Sequence, residues 1–357
     1  MAGNRGESPL QPFADMKIAV VILNWNGRDM LRRFLPYVIS RSTVPDARVY
    51  VADNGSTDGS LEMLAEEFAG VPVIRLDANY GFAEGYNRAL AQVEAEYVVL
   101  LNSDVEPGER WLEPMVAYMD THPEVAACQP KLLSYSDRGR FEYAGACGGF
   151  IDGYGYPFCR GRVMSTVEPD EGQYDDPAPV CWASGAALFI RLTDYREVGG
   201  LDGRFFAHME EVDLCWRLGA RGRKLMCIPQ SVIYHVGGAT LNRENPQKTF
   251  LNFRNNLLTL YKNLPDDELR RVMLVRGVLD VVAALSFLLK GEWRSAKAVF
   301  RARREFRRLR PQFEAARRDN LARATVASPY GRTRGCILIS YYLLGKKTFR
   351  RLKCARS

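Results

Sequence analysis

Short apolar runs alternate with helical stretches over the first hundred residues of this 357-residue chain. Four runs have the length and composition of buried strands: 17–23, 48–53, 71–76 and 96–101. Three stretches between them repeat apolar positions at helical spacing: 29–39, 58–69 and 83–94. This alternation predicts βαβ units and a parallel sheet that helices cover on both faces. In such sheets, ligands bind at the carboxyl ends of the strands.

The pattern becomes less regular after residue 144. Residues 145–179 are rich in Gly, Tyr, Pro and Asp, which indicates a long loop or short hairpins and not a domain boundary. Strand-like segments return at 182–192 and 224–229, with a helical segment at 210–220 between them. Beyond about residue 250 the pattern is helical. We therefore expect three parts: a loose tail, an α/β domain and a helical extension, over 1–15, 16–265 and 266–357.

The helical extension is basic and amphipathic. The chain carries a net charge of +7, and residues 301–310 contain six Arg and one Glu. The apolar run 278–289, which Asp280 interrupts, is too short to span a bilayer but long enough to lie in one. This combination favours peripheral contact with an anionic membrane. The alternative is a helical hairpin with a solvated basic face, while no motif supports binding to nucleic acid.

Polar residues follow two of the predicted strands. Asp53 opens the sequence DNGSTDGS, where a carboxylate can accept a hydrogen bond from a base or a ribose. The sequence NYGFAEGYN follows the next strand, and its glycines permit a close approach of backbone to ligand. It is neither GxGxxG nor a P-loop, which argues against dinucleotide and ATP sites. Taken alone, the first motif is better explained as an ordinary strand–turn–helix junction, and the second is explained equally well as a glycine-bearing helix start.

A candidate metal site follows the fourth strand. Asn102 and Asp104 flank Ser103, so alternation places their oxygens on the same side of the chain. Such oxygens suit Mg²⁺ or Mn²⁺. His235, one of three histidines, follows a strand that we expect in the same sheet and is a candidate further ligand. A strand-ending turn is the alternative for Asn102 and Asp104.

Three carboxylates lie within four residues at a predicted helix start. Glu210, Glu211 and Asp213 could include a general base and a group that orients the acceptor. The alternative is that they only stabilise the helix, because its positive N-terminus favours acids.

Seven segments in order resemble the family 2 glycosyltransferases, in particular the rhamnosyltransferase-like branch that builds bacterial surface polysaccharide. The resemblance covers about residues 17–265, and its segments are VVILNWNG, DNGSTDGS, NYGFAEGYNRAL, LLNSDV, WASGAALFIR, GGLDGRFFAHMEEVDLCWR and YHVGG. It implies a GT-A α/β fold with a mixed central sheet. It also implies a cytoplasmic enzyme at the inner face of the membrane, with a nucleotide-diphosphate sugar donor and a glycan or lipid-linked acceptor.

The resemblance also implies roles for particular residues. The donor nucleotide would contact Asn24, Asp53, Asn79, Gly81, Asn87 and Asn102. Asp104 would be the principal ligand of Mg²⁺ or Mn²⁺, with His235 a further metal or diphosphate contact. Glu211 falls at the position of the catalytic base, next to Glu210. The sugar and acceptor would contact Trp182, Ser184, Asp202 and Asp213.

Two departures from the family pattern leave alternatives open. Asn102 stands where the family motif begins with Asp, which removes one charge from the metal site. Glu211 stands where Asp is usual, so Glu210 or Asp213 could be the base instead. The implied reaction is a single in-line displacement that inverts the anomeric centre, with rhamnose the leading sugar. The competing functions are a non-catalytic nucleotide-sugar-binding scaffold and a sugar nucleotidyltransferase.

Overall fold

The computed structural model describes residues 16–237 and 245–352. The predicted tail and Gly238 of the YHVGG segment lie outside these residues. The strands are β1 (Ile18–Asn24), β2 (Ala47–Asn54), β3 (Val73–Leu76), β4 (Tyr97–Leu101), β5 (Val105–Pro107), β6 (Val125–Ser134), β7 (Gly149–Ile151), β8 (Pro157–Cys159), β9 (Arg162–Val163), β10 (Thr166–Val167), β11 (Ala178–Pro179), β12 (Ala187–Arg191) and β13 (Lys224–His235). The α-helices are α1 (Arg28–Arg41), α2 (Ser60–Glu67), α3 (Gly81–Leu90), α4 (Glu113–Thr121), α5 (Leu192–Glu197), α6 (Glu210–Ala220), α7 (Pro246–Asn263), α8 (Asp266–Leu289), α9 (Trp293–Leu309), α10 (Glu314–Ala322) and α11 (Phe349–Leu352).

The central sheet is mixed. Its strand order is β11-β13-β6-β12-β4-β1-β2-β3, with β5 paired to β13. The four predicted strands β1 to β4 are parallel neighbours. Strand β12 runs antiparallel between β4 and β6, while β13 is parallel to β6. The predicted α/β fold with a mixed central sheet is therefore confirmed.

The central strands are apolar on both faces because both faces are covered. Every residue of β4 is fully buried, and the first five residues of β1 are at most 1% exposed. Two hydrophobic clusters lie on opposite sides of the sheet, since alternate residues of β1 belong to different clusters. This burial fixes the register of β1, β2 and β4, and hence the positions of the polar residues that follow them.

Strand β6 is a long central strand that the hydrophobic pattern does not predict. Its sequence VAACQPKLLS contains Gln129 and Lys131, yet both side chains are buried. The Gln129 amide donates to backbone carbonyls and accepts from the Ser184 N–H, while the Lys131 ammonium pairs with Asp170 and Asp175. Partners supplied by distant loops thus replace the apolar alternation that normally marks a strand.

The region 145–179 forms short hairpins, as one of the two sequence-based alternatives predicts. Strands β7 to β10 make a separate four-stranded sheet, and β11 joins the edge of the central sheet. The C-terminal segment packs on this small sheet, with the ring of Phe349 4.8 Å from that of Phe150. Helices α7, α8 and α9 pack against one another beside it. The C-terminal helical region is therefore in contact with the α/β domain.

Candidate active site at the carboxyl ends of the strands

The ends of β1 and β2 place two polar side chains together. Asn24 and Asp53 are register partners, and the Asn24 amide donates to Asp53 Oδ2 over 3.2 Å. The Ser56 N–H donates to Asp53 Oδ1 over 3.0 Å, which holds the buried carboxylate in one orientation. Asn24 Oδ1 is buried and accepts no hydrogen bond from a described residue. The two side chains therefore have fixed orientations, and Asn24 Oδ1 can still accept a hydrogen bond.

Asn54, the last residue of β2, organises the segment that follows β3. Its amide contacts Asn79 Oδ1 at 3.2 Å, and the same oxygen accepts from the Gly81 N–H at 2.9 Å. Gly81 has φ of +75°, and a Cβ atom there would lie 2.5 Å from the ring of Phe206. The close approach that requires this glycine is thus to a side chain of the same protein.

Asn87 makes its hydrogen bonds with a different part of the protein. Its Oδ1 accepts from the Tyr195 hydroxyl at 2.6 Å and from the Leu201 N–H at 3.0 Å, and its Nδ2 donates to the Leu201 carbonyl at 2.8 Å. Asn87 therefore ties α3 to the segment after α5. These contacts do not favour the prediction that Asn87 contacts the donor nucleotide.

Asp104 and His235, 131 residues apart, lie in contact. His235 Nε2 is 3.1 Å from Asp104 Oδ1, and the Asn102 amide nitrogen is 3.3 Å from the same ring nitrogen. The Gly237 N–H donates to Asp104 Oδ2 over 3.2 Å. The pairing of β5 with β13, in which His235 faces Val105, brings the two side chains together.

The donor set suits a divalent cation held partly by the substrate. Two neighbouring ligands of an octahedral ion at about 2.1 Å are about 3.0 Å apart, close to the separation of His235 Nε2 and Asp104 Oδ1. Within 16–237 and 245–352, no three His, Cys, Asp or Glu side chains form a metal-binding group. One or two protein ligands together with phosphate oxygens are the usual way to hold Mg²⁺. The residues therefore fit such an ion.

Glu142 lies on the other side of the His235 ring, although no sequence motif singles it out. Its Oε1 is 3.6 Å from His235 Nδ1, and its Oε2 accepts from the Ala144 N–H. Burial alone would lower the pKa of His235, but the Asp104 and Glu142 carboxylates outweigh burial and raise the pKa to about 10. A cation at this position would thus take the place of a proton.

Glu210 and Glu211 are two carboxylates without sufficient partners. Glu210 is 4% exposed and Glu211 is half-buried. Oε2 of each is buried and has no hydrogen-bond partner among the described residues. Burial raises the pKa of both carboxyls, and the charge of Glu211 further raises the pKa of Glu210. Carboxylates with raised pKa are stronger bases than ordinary ones, which is suited to proton abstraction.

Asp213, one helical turn further on, has the opposite environment. Its oxygens contact Lys262 at 2.7 Å, Arg217 at 3.0 Å and Asn263 at 2.9 Å. Burial alone would raise its pKa, but the charges of Lys262 and Arg217 lower it. Both oxygens are occupied and the residue is fully buried. We infer that the candidates for the base reduce to Glu210 and Glu211.

Asp202 belongs to the same network. Lys262 Nζ lies 2.7 Å from Asp202 Oδ2 as well as from Asp213 Oδ2, so one buried ammonium joins the two carboxylates. Despite burial, Arg204 and Lys262 hold the pKa of Asp202 well below its usual range. An acceptor contact for Asp202 stays a prediction, and its present contacts are structural.

Trp182 and Ser184 are also held by the fold. Trp182 Nε1 donates to the Phe150 carbonyl over 2.9 Å, and its ring fills the space above Gly149. Ser184 Oγ lies 3.3 Å from the Ala186 nitrogen, which starts the turn into β12. These residues shape the segment 182–186, whose backbone passes between the metal-site residues and the glutamate pair.

A strained turn precedes the glutamates. Phe206, His208 and Met209 all have φ near +70°, a conformation that non-glycine residues rarely adopt. The buried amide of Asn255 donates to the carbonyls of residues 205, 207 and 208 over 2.8 to 3.0 Å. Helix α7 thereby holds the turn that starts α6. The local signal in the sequence is the adjacent pair Asn255–Asn256 in α7, and both side chains are buried.

His208 in this turn is another residue with an unused polar atom. Its Nε2 is buried without a hydrogen-bond partner among the described residues, and burial lowers its pKa to about 4. It is therefore neutral at physiological pH.

Comparisons with known proteins agree with this architecture. Residues 19–159 match the family model "Glycosyl transferase family 2". The chain is 28% identical over 242 residues to N-acetylglucosaminyl-diphospho-decaprenol L-rhamnosyltransferase of Mycobacterium tuberculosis, which covers 64% of this chain and 78% of that protein. It is 23% identical over 219 residues to rhamnosyltransferase WbbL of Escherichia coli K12, with coverage of 59% and 80%.

A solved structure shares the fold. The crystal structure of GalNAc-T7 with UDP, GalNAc and Mn²⁺ superposes with a TM-score of 0.55 at 16% identity, over 71% of this chain and 49% of that one. This likeness shows a GT-A-like α/β fold, although the chain matches only about half the length of that protein. Residues 19–159 therefore carry a family 2 glycosyltransferase domain, and the chain is similar to the rhamnosyltransferase-like branch of that family.

Proposed function

We propose that this glycosyltransferase moves a sugar, with L-rhamnose the leading candidate, from a nucleotide-diphosphate donor to a lipid-linked or glycan acceptor. The transfer depends on Mg²⁺ or Mn²⁺ and inverts the anomeric centre. It takes place at the cytoplasmic face of a bacterial membrane, in the synthesis of surface polysaccharide.

One geometric observation carries this proposal: the metal-site residues and the glutamate pair flank one short backbone segment. The Asn102 N–H donates to the Ala186 carbonyl over 3.0 Å, which fixes the Asn102–Asp104 turn to the segment before β12. A Cβ atom placed on Gly185, the adjacent residue, would lie 3.7 Å from the Cβ of Glu211. Diphosphate-binding and proton-accepting groups are therefore close enough to act on one sugar.

The donor nucleotide is assigned to the ends of β1, β2 and β3. Asn24, Asp53 and Asn79 present fixed polar atoms there, and the unpartnered Asn24 Oδ1 is a ready hydrogen-bond acceptor. Gly81 and Asn87 support this part of the site through Phe206 and Leu201. The sugar then points from the strand ends toward residues 184–186.

Asp104 and His235 would hold the divalent ion, with Asn102 beside them. The ion supplies Lewis-acid stabilisation of the negative charge that develops on the leaving diphosphate. The Glu142 carboxylate lies 3.6 Å from the second ring nitrogen of His235 and places a negative charge beside the ring.

Glu211 is the base in this proposal because it is the more exposed member of the pair and faces Gly185. It takes the proton of an acceptor hydroxyl while that oxygen forms a bond to the anomeric carbon. The bond from the anomeric carbon to the diphosphate oxygen breaks in the same step, with its electron pair leaving on the diphosphate. Attack opposite the leaving group inverts the configuration.

The names of the relatives support the choice of sugar and of acceptor class. Two relatives are named as rhamnosyltransferases, and the first of them is named for an acceptor sugar on a polyprenyl diphosphate. dTDP-rhamnose is therefore the first donor to test. A membrane-embedded acceptor also explains a basic, apolar C-terminal region.

The test is a donor screen with purified full-length protein. Nucleoside diphosphate release is followed with dTDP-, UDP- and GDP-sugars, with Mg²⁺ or Mn²⁺ and with EDTA, in the presence of a short-chain polyprenyl-diphosphate sugar. We expect release from one donor that EDTA abolishes. Glu211→Gln should lose this release, whereas Glu62→Gln, at an exposed glutamate in the first turn of α2, should keep it.

The product configuration is read by proton NMR of the transferred sugar. Retention of the donor configuration would overturn the inverting mechanism. No release from any donor, together with no nucleotide binding by calorimetry, would overturn the transferase assignment and leave a scaffold role.

A further inference from the structure

From Val272 onward, helix α8 has its charged residues inside and its large apolar residues outside. Seven of its side chains are large, apolar and between 42% and 90% exposed: Leu274, Val278, Val281, Val282, Leu285, Leu288 and Leu289. Their spacing of three or four residues puts them on one stripe, which we call the α8 stripe. Between Val272 and Leu289, the only charged residues are Arg276 and Asp280, and both are at most 1% exposed. A soluble amphipathic helix has the reverse arrangement.

The inner face of α8 is firmly attached to the protein. Arg276 donates to Asp280 over 3.1 and 3.2 Å, to Asn256 of α7 and to the carbonyl of Tyr154. Arg303 of α9 pairs with the other oxygen of Asp280. The stripe is therefore not a misplaced core face, because its opposite side already has its partners.

This attachment decides how α8 can meet a bilayer. By length and composition, α8 is the one helix among the described residues that could cross a membrane. Crossing would strip α7 and α9 from its inner face and leave the Arg276–Asp280 pair in hydrocarbon, which is costly. A helix that keeps its partners can only lie in the plane of the interface, with the α8 stripe toward the acyl chains.

Basic and aromatic side chains border the stripe where α8 turns into α9. Trp293 is 58% exposed and follows Leu289 by four residues. Exposed Arg294 and Lys297 come next, and neither forms an ion pair with a described residue. With Arg301 they line an open cavity of about 270 Å³ beside Pro246 of α7. Tryptophan at the headgroup level and unpaired cations beside it suit an anionic lipid surface.

We propose that the α8 stripe, Trp293 and the basic start of α9 form a docking surface for an anionic lipid bilayer, in which α8 lies parallel to the membrane. This inference rests on the proposed function for its purpose, access to a lipid-linked acceptor. Its test needs no catalysis, so failure of docking and failure of sugar transfer are separate results.

The experiment is flotation of the full-length protein with vesicles of phosphatidylcholine, alone or mixed with anionic phosphatidylglycerol. We expect stronger binding to the anionic vesicles, weakened by salt. The combined variant Val278→Gln, Val282→Gln and Leu285→Gln should bind on the order of a hundredfold more weakly, since three apolar side chains no longer enter the interface. These positions are exposed, so circular dichroism and thermal melting should match the wild type.

Two further variants sharpen the test. Arg294→Gln with Lys297→Gln should reduce binding to anionic vesicles and its salt dependence, but leave binding to neutral vesicles nearly unchanged. Ile39→Gln, at a 39% exposed position of α1, is the matched apolar control and should bind like the wild type. Lipids carrying a quencher near the headgroup should quench Trp293 more than lipids quenched at the acyl end, and Trp293→Phe removes this signal.

Unchanged vesicle binding of the triple variant would overturn the proposal. Self-association through the α8 stripe would also overturn it. In that case the wild type would sediment as a dimer and would not bind vesicles, and the triple variant would sediment as a monomer. Stronger quenching from the acyl ends than from the headgroups would overturn the in-plane orientation in favour of a deeper one.

Discussion

The start of α6 and the segment before it hold buried carboxylates in opposite environments. Asp213 and Asp202 share Lys262 and have further cationic partners, and their pKa values are lowered. Glu210 and Glu211 have buried oxygens without partners, and their pKa values are raised. The first set stabilises the fold, while the second keeps an unsatisfied basic atom available. This difference supports the proposal that Asp202 and Asp213 are structural and that Glu210 and Glu211 act on the substrate.

The largest effect should come from Glu211→Gln. Loss of the base should lower turnover by about a hundred- to ten-thousandfold, because general-base assistance has that magnitude. The melting temperature should stay the same or rise, since the substitution removes a charge that lacks partners. Turnover at saturating donor and acceptor and thermal melting are measured side by side. A large loss of stability would contradict the contrast between the two sets of acids.

Asp213→Asn should show the reverse balance. Removal of its charge leaves the buried Lys262 and Arg217 with one anion fewer, which should cost about 3–5 kcal/mol of unfolding free energy. Urea denaturation measures this difference. Because the pKa of Asp213 is lowered in the folded protein, the carboxylate contributes stability above the ordinary Asp range. The difference between wild type and variant should therefore shrink as the pH falls below that range.

Asn255→Ala tests whether the strained turn positions the glutamates. The carbonyls of residues 205, 207 and 208 lose a common donor, which should cost about 1–3 kcal/mol of stability. We also expect turnover to fall by about tenfold, because the glutamates at the start of α6 lose part of their support. Asn252→Ala, at a half-buried position of the same helix, is the control. Equal effects of the two variants on turnover would refute the positioning role.

The smallest effect should come from Glu210→Gln. The charge of Glu211 favours the protonated form of Glu210, and glutamine imitates that neutral form. Activity near neutral pH should therefore persist. In the wild type and in Glu210→Gln, kcat/KM should fall at low pH, because Glu211 must lose its proton to act as the base. The pH at which kcat/KM falls should lie above the ordinary range of glutamate, since burial raises the pKa of Glu211. If Glu210→Gln were as inactive as Glu211→Gln, Glu210 would be the base.

The sequence predicts the parts of the site that follow from strand ends. Buried apolar runs position β1, β2 and β4, and the polar residues after them lie together as parallel strands require. The chain position of His235 after β13 likewise suggests a place near Asp104, and the structure puts the two in contact. Their role toward a metal is a proposal that the contact supports.

The rest depends on partners from distant segments, which periodicity does not encode. Strand β6 is hidden because Gln129 and Lys131 are buried by loop partners. Three acids near the start of α6 look alike in sequence, and Asp213 differs from the glutamates because it pairs with Arg217 and with Lys262 and Asn263 of α7. The apolar pattern of α8 is visible in the sequence, but which of its faces is covered is a property of the packed helices alone.

The most direct test of the account is the initial rate of nucleoside diphosphate release by folded Glu211→Gln protein, measured with the donor that the wild type uses. The account predicts a rate at least about a hundredfold below that of the wild type, with nucleotide affinity unchanged. A rate close to that of the wild type would contradict it, since the unpartnered glutamate facing Gly185 would then have no part in the transfer.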